Sequence, residues 1–205
     1  MKIRTGVPGI FSLETEIPNI SNIVVNSSWV ANGKLLVGVN DLIFGVDEDE
    51  ASGLACSYDE ICKRVMRKGF FVNELVLKYS AIRIVLARQI VEFGLELESY
   101  TDPDAFLICE LLYSNDNNWI PDGDAAFDDG SVIIHFDRGD QVYLIAFKAS
   151  SELADIQSTL TELTIPATQF YSTLEAWRDK FEEICGIEAP AKRRTATFSQ
   201  NLTAS

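Results

Sequence analysis

The chain has 205 residues, 47% of them hydrophobic and 23% charged, which is enough apolar material for one sizeable core and too much for a disordered chain. Its formal net charge of -14 repels nucleic acid and anionic lipid, whose phosphates need lysine and arginine to neutralise them, and favours basic proteins as partners. Glu14 and Glu16 interrupt the apolar start that a signal peptide would need, and no apolar run approaches membrane-spanning length, so the cytoplasm is the expected compartment.

In chain order, "IFSLETEI" alternates Phe11, Leu13, Thr15 and Ile17 on one face against Ser12, Glu14 and Glu16 on the other, the period of a half-buried strand. "IVVNSSWV" suggests another strand. "GKLLVGVNDLIFGV" reads as a hairpin turning at Asn40-Asp41. "SYDEICKRVMRKG" predicts a helix capped by Ser57 with Glu60 three residues on, stopping at Gly69. From Glu74, with Asn73 as cap and Gly94 as stop, Leu75, Tyr79, Ile82, Leu86, Ile90 and Phe93 recur at steps of three and four, predicting one long core helix.

The apolar "FLICELLY" suits a short buried strand, and "SVIIHFDRGDQVYLIAFKA" a hairpin around Asp137-Arg138-Gly139-Asp140. A strand is expected in "IQSTLTELTI". The last helix starts near Pro166, presents Phe170, Leu174, Trp177, Phe181 and Ile184 on one face, and ends at Gly186. The sum is a single α+β domain, residues 1–186, with a mainly antiparallel sheet and two to three packed helices. Residues 187–205 read as a flexible, basic and polar C-terminal tail.

Chemical signatures are scarce. The cysteines at 56, 62, 109 and 185 form no Cys-x-x-Cys pair, and in a reducing compartment they read as small buried hydrophobes. His135 lies on the same strand face as Ile133 and Asp137, where a half-exposed structural role is expected. Glycosylation sequons at Asn26 and Asn201 carry no meaning in a cytoplasm. "NDNNWIPDGDAAFDDG", Asn115 to Gly130, holds five aspartates, but an EF-hand frame built on Gly123 puts Ile120 at a ligand position and fails. No catalytic, cofactor or metal site is expected.

Charge segregation says more. From Gln89 to Asp137 there are twelve acids and no lysine or arginine, while Ile61 to Arg88 is net basic. Self-repulsion in such a block costs stability, so a basic protein partner is a reasonable explanation. Asp116, Trp119, Asp122, Asp124, Asp128 and Asp129 are the candidate interface residues, with the indole as an aromatic anchor. The competing reading is a solvated acidic loop with Trp119 folded inward.

"TGVPGIFSLETEI", "SWVANGKLLVGVND", "VYLIAFKAS" and "FYSTLEAW" together resemble a family of bacterial immunity proteins, the antitoxins encoded beside polymorphic or contact-dependent toxins, over about Ile3 to Ile184. The resemblance implies stoichiometric binding of a cognate toxin domain, expected to be a basic nuclease, with no chemistry of its own and no residue carried over. The alternatives are an acidic adaptor for some other basic protein, or a metal-dependent hydrolase using clustered carboxylates. Oligomeric state is not fixed by the sequence.

Overall fold

The computed structural model describes residues 1–18, 32–49, 52–93, 102–119 and 125–187. Strands β1 (Lys2–Val7), β2 (Phe11–Glu16), β3 (Asn32–Val39) and β4 (Leu42–Phe44) form an antiparallel sheet in that order, and the short β5 (Ser52–Gly53) pairs with the start of β3. In β2 the predicted alternation places Phe11, Leu13 and Thr15 in the interior and leaves Ser12, Glu14 and Glu16 half-exposed. Asn40 turns the β3–β4 hairpin with a left-handed φ of 53°, a conformation asparagine tolerates better than most residues.

The second antiparallel sheet runs β6 (Ser131–Arg138), β7 (Gln141–Lys148), β8 (Thr161–Pro166), and Gly139 at φ 66° closes the first of its hairpins. Among the described residues five α-helices complete the fold: α1 (Ala55–Met66), α2 (Ala81–Phe93), α3 (Ala105–Ser114), α4 (Leu153–Thr159) and α5 (Ala167–Cys185). The α+β expectation with antiparallel sheets holds, with more helices than the two to three expected.

The second sheet is buried on both faces, which is why β6 and β7 read as near-continuous apolar runs. Ile133, Val142, Leu144 and Ala146 face a core shared with the first sheet, α1 and the Phe170, Leu174, Trp177 and Phe181 stripe of α5. Val132, Ile134, Phe136, Ile145 and Phe147 face a second core closed by α2, α3 and α4. A Cβ on Gly6 would meet the Phe11 carbonyl oxygen of β2 at 2.3 Å and Thr173 Cγ2 of α5 at 2.9 Å, so glycine is required there by contact as well as by its φ of 82°. The Trp177 indole donates to Thr15 Oγ1 at 2.8 Å, satisfying both buried polar groups in one bond. Gly186, at φ 64°, ends α5 as predicted.

Three predicted elements are corrected. Helix α1 begins at Ala55 after Leu54, so Ser57 is an interior residue and makes no capping box; the apolar Leu54 joins the core instead. The predicted long helix breaks: Asn73 Oδ1 accepts from the Val76 amide and caps a single 3-10 turn, Tyr79 is extended, and α2 starts afresh at Ala81. "FLICELLY" is helix α3. An eight-residue apolar run does not distinguish a buried strand from a buried helix, and here Ala105, Ile108, Cys109 and Leu112 face inward at steps of three and four. The strand expected in "IQSTLTELTI" is β8, which follows the end of α4 and leads into α5. The strand predicted in "IVVNSSWV", the stop at Gly94, the two sequons and the tail beyond Ile187 lie outside the described residues.

Candidate functional site

The acidic segment leaves α3 through Asp116, whose φ of 55° turns the chain back toward β6. There it runs as an extra, irregular strand along the open edge of the second sheet. His135 donates its amide to the Asn117 carbonyl at 2.8 Å, and the Trp119 amide donates to the Ile133 carbonyl at 2.8 Å. The Asn117 side chain is fully buried. Its Nδ2 donates to the carbonyls of Phe71 and His135, and its Oδ1 accepts from Asn73 Nδ2. Covering an edge strand in this way satisfies its free backbone groups and blocks unwanted pairing.

A buried polar chain lies beneath. Tyr58, Ile61 and Arg64 occupy the inward stripe of α1, so the Arg64 guanidinium is driven into the core. It forms an ion pair with Glu60 at 2.9 Å and donates to the Asn118 carbonyl at 2.7 Å and to His135 Nδ1 at 2.9 Å. It also stacks over the rings of Phe71 and Trp119, at 4.8 and 5.4 Å. Burial lowers its pKa to about 10, well above neutrality, so it stays charged.

His135 is fully buried, not half-exposed as the sequence suggested, because both faces of β6 are covered. Burial, reinforced by the neighbouring Arg64 charge, lowers its pKa to about 4. The ring is therefore neutral near pH 7. Since Nδ1 accepts from Arg64, the proton sits on Nε2, which faces Asp137 Oδ1 at 3.4 Å, a favourable electrostatic distance rather than a full hydrogen bond. Asp137 in turn accepts from Tyr171 Oη at 2.8 and 3.0 Å and from the Phe71 amide at 3.1 Å. Burial pushes the Asp137 carboxyl up, but His135, with Tyr171 and the Phe71 amide, outweighs it and holds it below the ordinary carboxylate range.

This chain resembles a catalytic relay in its residue types. Its members are sealed among Phe71, Phe170 and Tyr171 ring faces, so its geometry is that of a structural tie between α1, β6, α5 and the acidic segment.

The predicted interface residues meet different fates. Trp119 is only 2% exposed and packs against Phe11 and Phe170, with ring centroids 6.0 and 5.7 Å away. The indole belongs to the core and is no surface anchor, a correction forced by the aromatic cluster that the first sheet and α5 bring to it. Asp116 is half-buried and engaged by Lys63 at 3.0 Å and by Arg67. Burial raises its pKa, and those two cations outweigh that and lower it. Asp129 pairs with Lys148 at 2.7 Å and accepts the Ser131 amide at 3.1 Å. Asp128 is exposed beside the 3-10 turn Ala125–Phe127, whose Ala126 and Phe127 are buried and whose Ala126 carbonyl accepts the Val46 amide. Asp122 and Asp124 lie outside the described residues.

The acidic block is thus less naked than it looks in sequence, because the basic stretch 61–88 folds against it. Arg83 pairs with Asp102 at 2.6 Å and Asp104 at 2.7 Å, and Arg88 pairs with Glu92 at 2.8 Å. Sequence reasoning missed the Arg64–His135–Asp137–Tyr171 chain. One signal was available: a lone arginine three residues after Ile61 on an otherwise apolar helix stripe. Among the described residues no three His, Cys, Asp or Glu side chains converge to hold a metal ion, and no helix is long and apolar enough to cross a membrane.

The comparisons with known proteins agree with this architecture. A crystal structure of CdiI from Burkholderia dolosa AUO158 superposes with a TM-score of 0.50 over 84% of this chain and 96% of that one, at 13% identity, a likeness of fold. No curated protein matches the sequence. The model of the family described as Immunity protein 42 matches residues 3–180, nearly the whole of the described fold. The chain belongs to the Immunity protein 42 family.

Proposed function

We propose that the chain neutralises a cognate toxin domain, a basic nuclease, in the cytoplasm by one-to-one binding and without chemistry of its own. The acidic segment supplies part of the grip through Asp116, Asp122, Asp124, Asp128 and Asp129. Trp119 serves it from beneath, holding the segment to the core. The observation that carries this reading is the way the segment is held. It is tied to β6 at Asn117 and Trp119 and to the first sheet through Ala126, so Asp128 stands exposed on a backbone already fixed in place. A pre-ordered carboxylate loses little freedom on binding, and its charge speeds the arrival of a cationic partner.

Internal pairing supports the same reading. Lys34, Arg83 and Arg88 are each held by a carboxylate of this chain outside the proposed grip, so these cations neutralise acids there and the surplus of the -14 charge stays outward. Reversal of Asp122, Asp124 and Asp128 to lysine together should slow association with the toxin domain at least tenfold at low salt and change dissociation far less. Stopped-flow association kinetics check this, and an unchanged rate would remove the segment from the interface.

A further inference from the structure

On a chain that belongs to an immunity family, the surface between α1 and the following 3-10 turn carries a second kind of recognition chemistry. Four large apolar side chains stand out of the protein within ten residues: Met66 at 73% exposure, Phe70 at 72%, Val72 at 44% and Leu75 at 55%. Scattered exposed hydrophobics are ordinary, but a run of four on one short segment marks an interaction site.

The segment is also rigid. Residues 70 to 73 alternate: Phe71 and Asn73 point inward and are buried, while Phe70 and Val72 point outward. The inward pair is clamped. The Phe71 amide donates to the Asp137 carboxylate and its carbonyl accepts from the Asp137 amide and from Asn117 Nδ2. Asn73 reaches the Leu111 carbonyl, Asn117 and the Val76 amide. Buried polar ties therefore hold apolar side chains in water, where packing alone would not leave them. That is pre-organisation for contact.

Charge around the ridge runs against the molecule as a whole. From Met66 to Lys78 the exposed charged residues are Lys68 and Lys78 against the single acid Glu74, with Arg67 held by Asp116, on a chain of net charge -14. Lys68 lies 5.1 Å above the Tyr171 ring, and Lys68, Lys78 and Glu74 are all exposed. A phosphate-binding, lysine-rich groove does not complement such a rim. An apolar pocket edged with carboxylates does.

We infer that Met66, Phe70, Val72 and Leu75 form a docking ridge that seats in an apolar, carboxylate-rimmed pocket on the toxin domain, outside that domain's cationic groove. The inference rests on the reading that the chain binds a toxin, and it adds a contact of opposite electrical character to the acidic segment.

The probe is the purified product of the open reading frame that neighbours this chain's own, titrated by calorimetry with the full chain. The double variant Met66→Ser/Phe70→Ser should weaken binding at least 100-fold, and Phe70→Tyr, which keeps the ring, should weaken it less than fivefold. Because both replaced side chains are mostly exposed, the thermal midpoint should stay within about 2 °C of wild type. Lys68→Glu should cost about tenfold, and less at high salt. Wild-type binding with an undiminished double variant would overturn the ridge and leave the toxin reading intact. Absence of binding by the wild-type chain would overturn both. Self-association of the free chain that the double variant abolishes, with toxin affinity unchanged, would make a second copy the occupant and overturn the assignment.

Discussion

Arg64 is the residue on which the site's geometry turns, because one guanidinium joins helix α1, strand β6 and the acidic segment. Arg64→Ala would leave Glu60 half-compensated, orphan the Asn118 carbonyl and open a cavity between Phe71 and Trp119, costing about 3–5 kcal/mol. Urea denaturation measures this; a loss under about 1 kcal/mol would show that the tie is dispensable. His135 sets the acid limit. The unfolded chain takes up its proton near pH 6.5 and the folded chain only near 4, so between these the unfolded state binds more protons and stability falls as the pH drops. The loss is about 3 kcal/mol at most. Asp137, held below its ordinary range, adds a further loss only at lower pH, below about 4. Glu60, raised chiefly by burial, works the other way and offsets part of the slope. His135→Gln should flatten the decline between pH 6.5 and 4.5, measured by denaturation at each pH, and an unchanged slope would assign the decline to other groups.

At the scale of elements, α3 gives the clearest test of how the chain packs. In a strand, Phe106, Ile108 and Leu112 would share one face; in the helix, Ile108 and Leu112 are buried and Phe106 is largely exposed. Leu112→Ala should therefore cost about 2–5 kcal/mol, while Phe106→Ala should stay within about 0.5 kcal/mol of wild type. Equal losses would return the segment to a strand. The elements legible in the sequence were those with a period and a stop of their own: β2, both hairpins, and α5 between Pro166 and Gly186. Those that failed depended on distant partners. Nothing local says that Asn73 caps a single turn and breaks the helix, since its other bonds go to Leu111 and Asn117, some forty residues away. The same holds for the candidate site. The acids and the bases were visible as separate runs, but that Arg83 meets Asp102 and Lys63 meets Asp116 is a property of the packed chain. Trp119 looked like an anchor because only the fold brings Phe11 and Phe170 to its ring.

For the whole molecule, two sheets share one core, and the second carries another on its far face, so most of the apolar sequence is spent inside. Among the described residues the outside carries many carboxylates, the apolar run from Met66 to Leu75, and further exposed apolar side chains such as Phe106 and Leu107. Such a surface suits tight, fast association with a protein, and a family of immunity proteins is where the chain belongs. On the proposed reading, protection comes from occupancy and not from turnover. Its most direct test is to titrate a fixed amount of the active toxin domain with this chain and follow residual toxin activity. Activity should fall linearly and reach zero at one equivalent; full protection by a small fraction of an equivalent, or activity that persists at large excess, would contradict it.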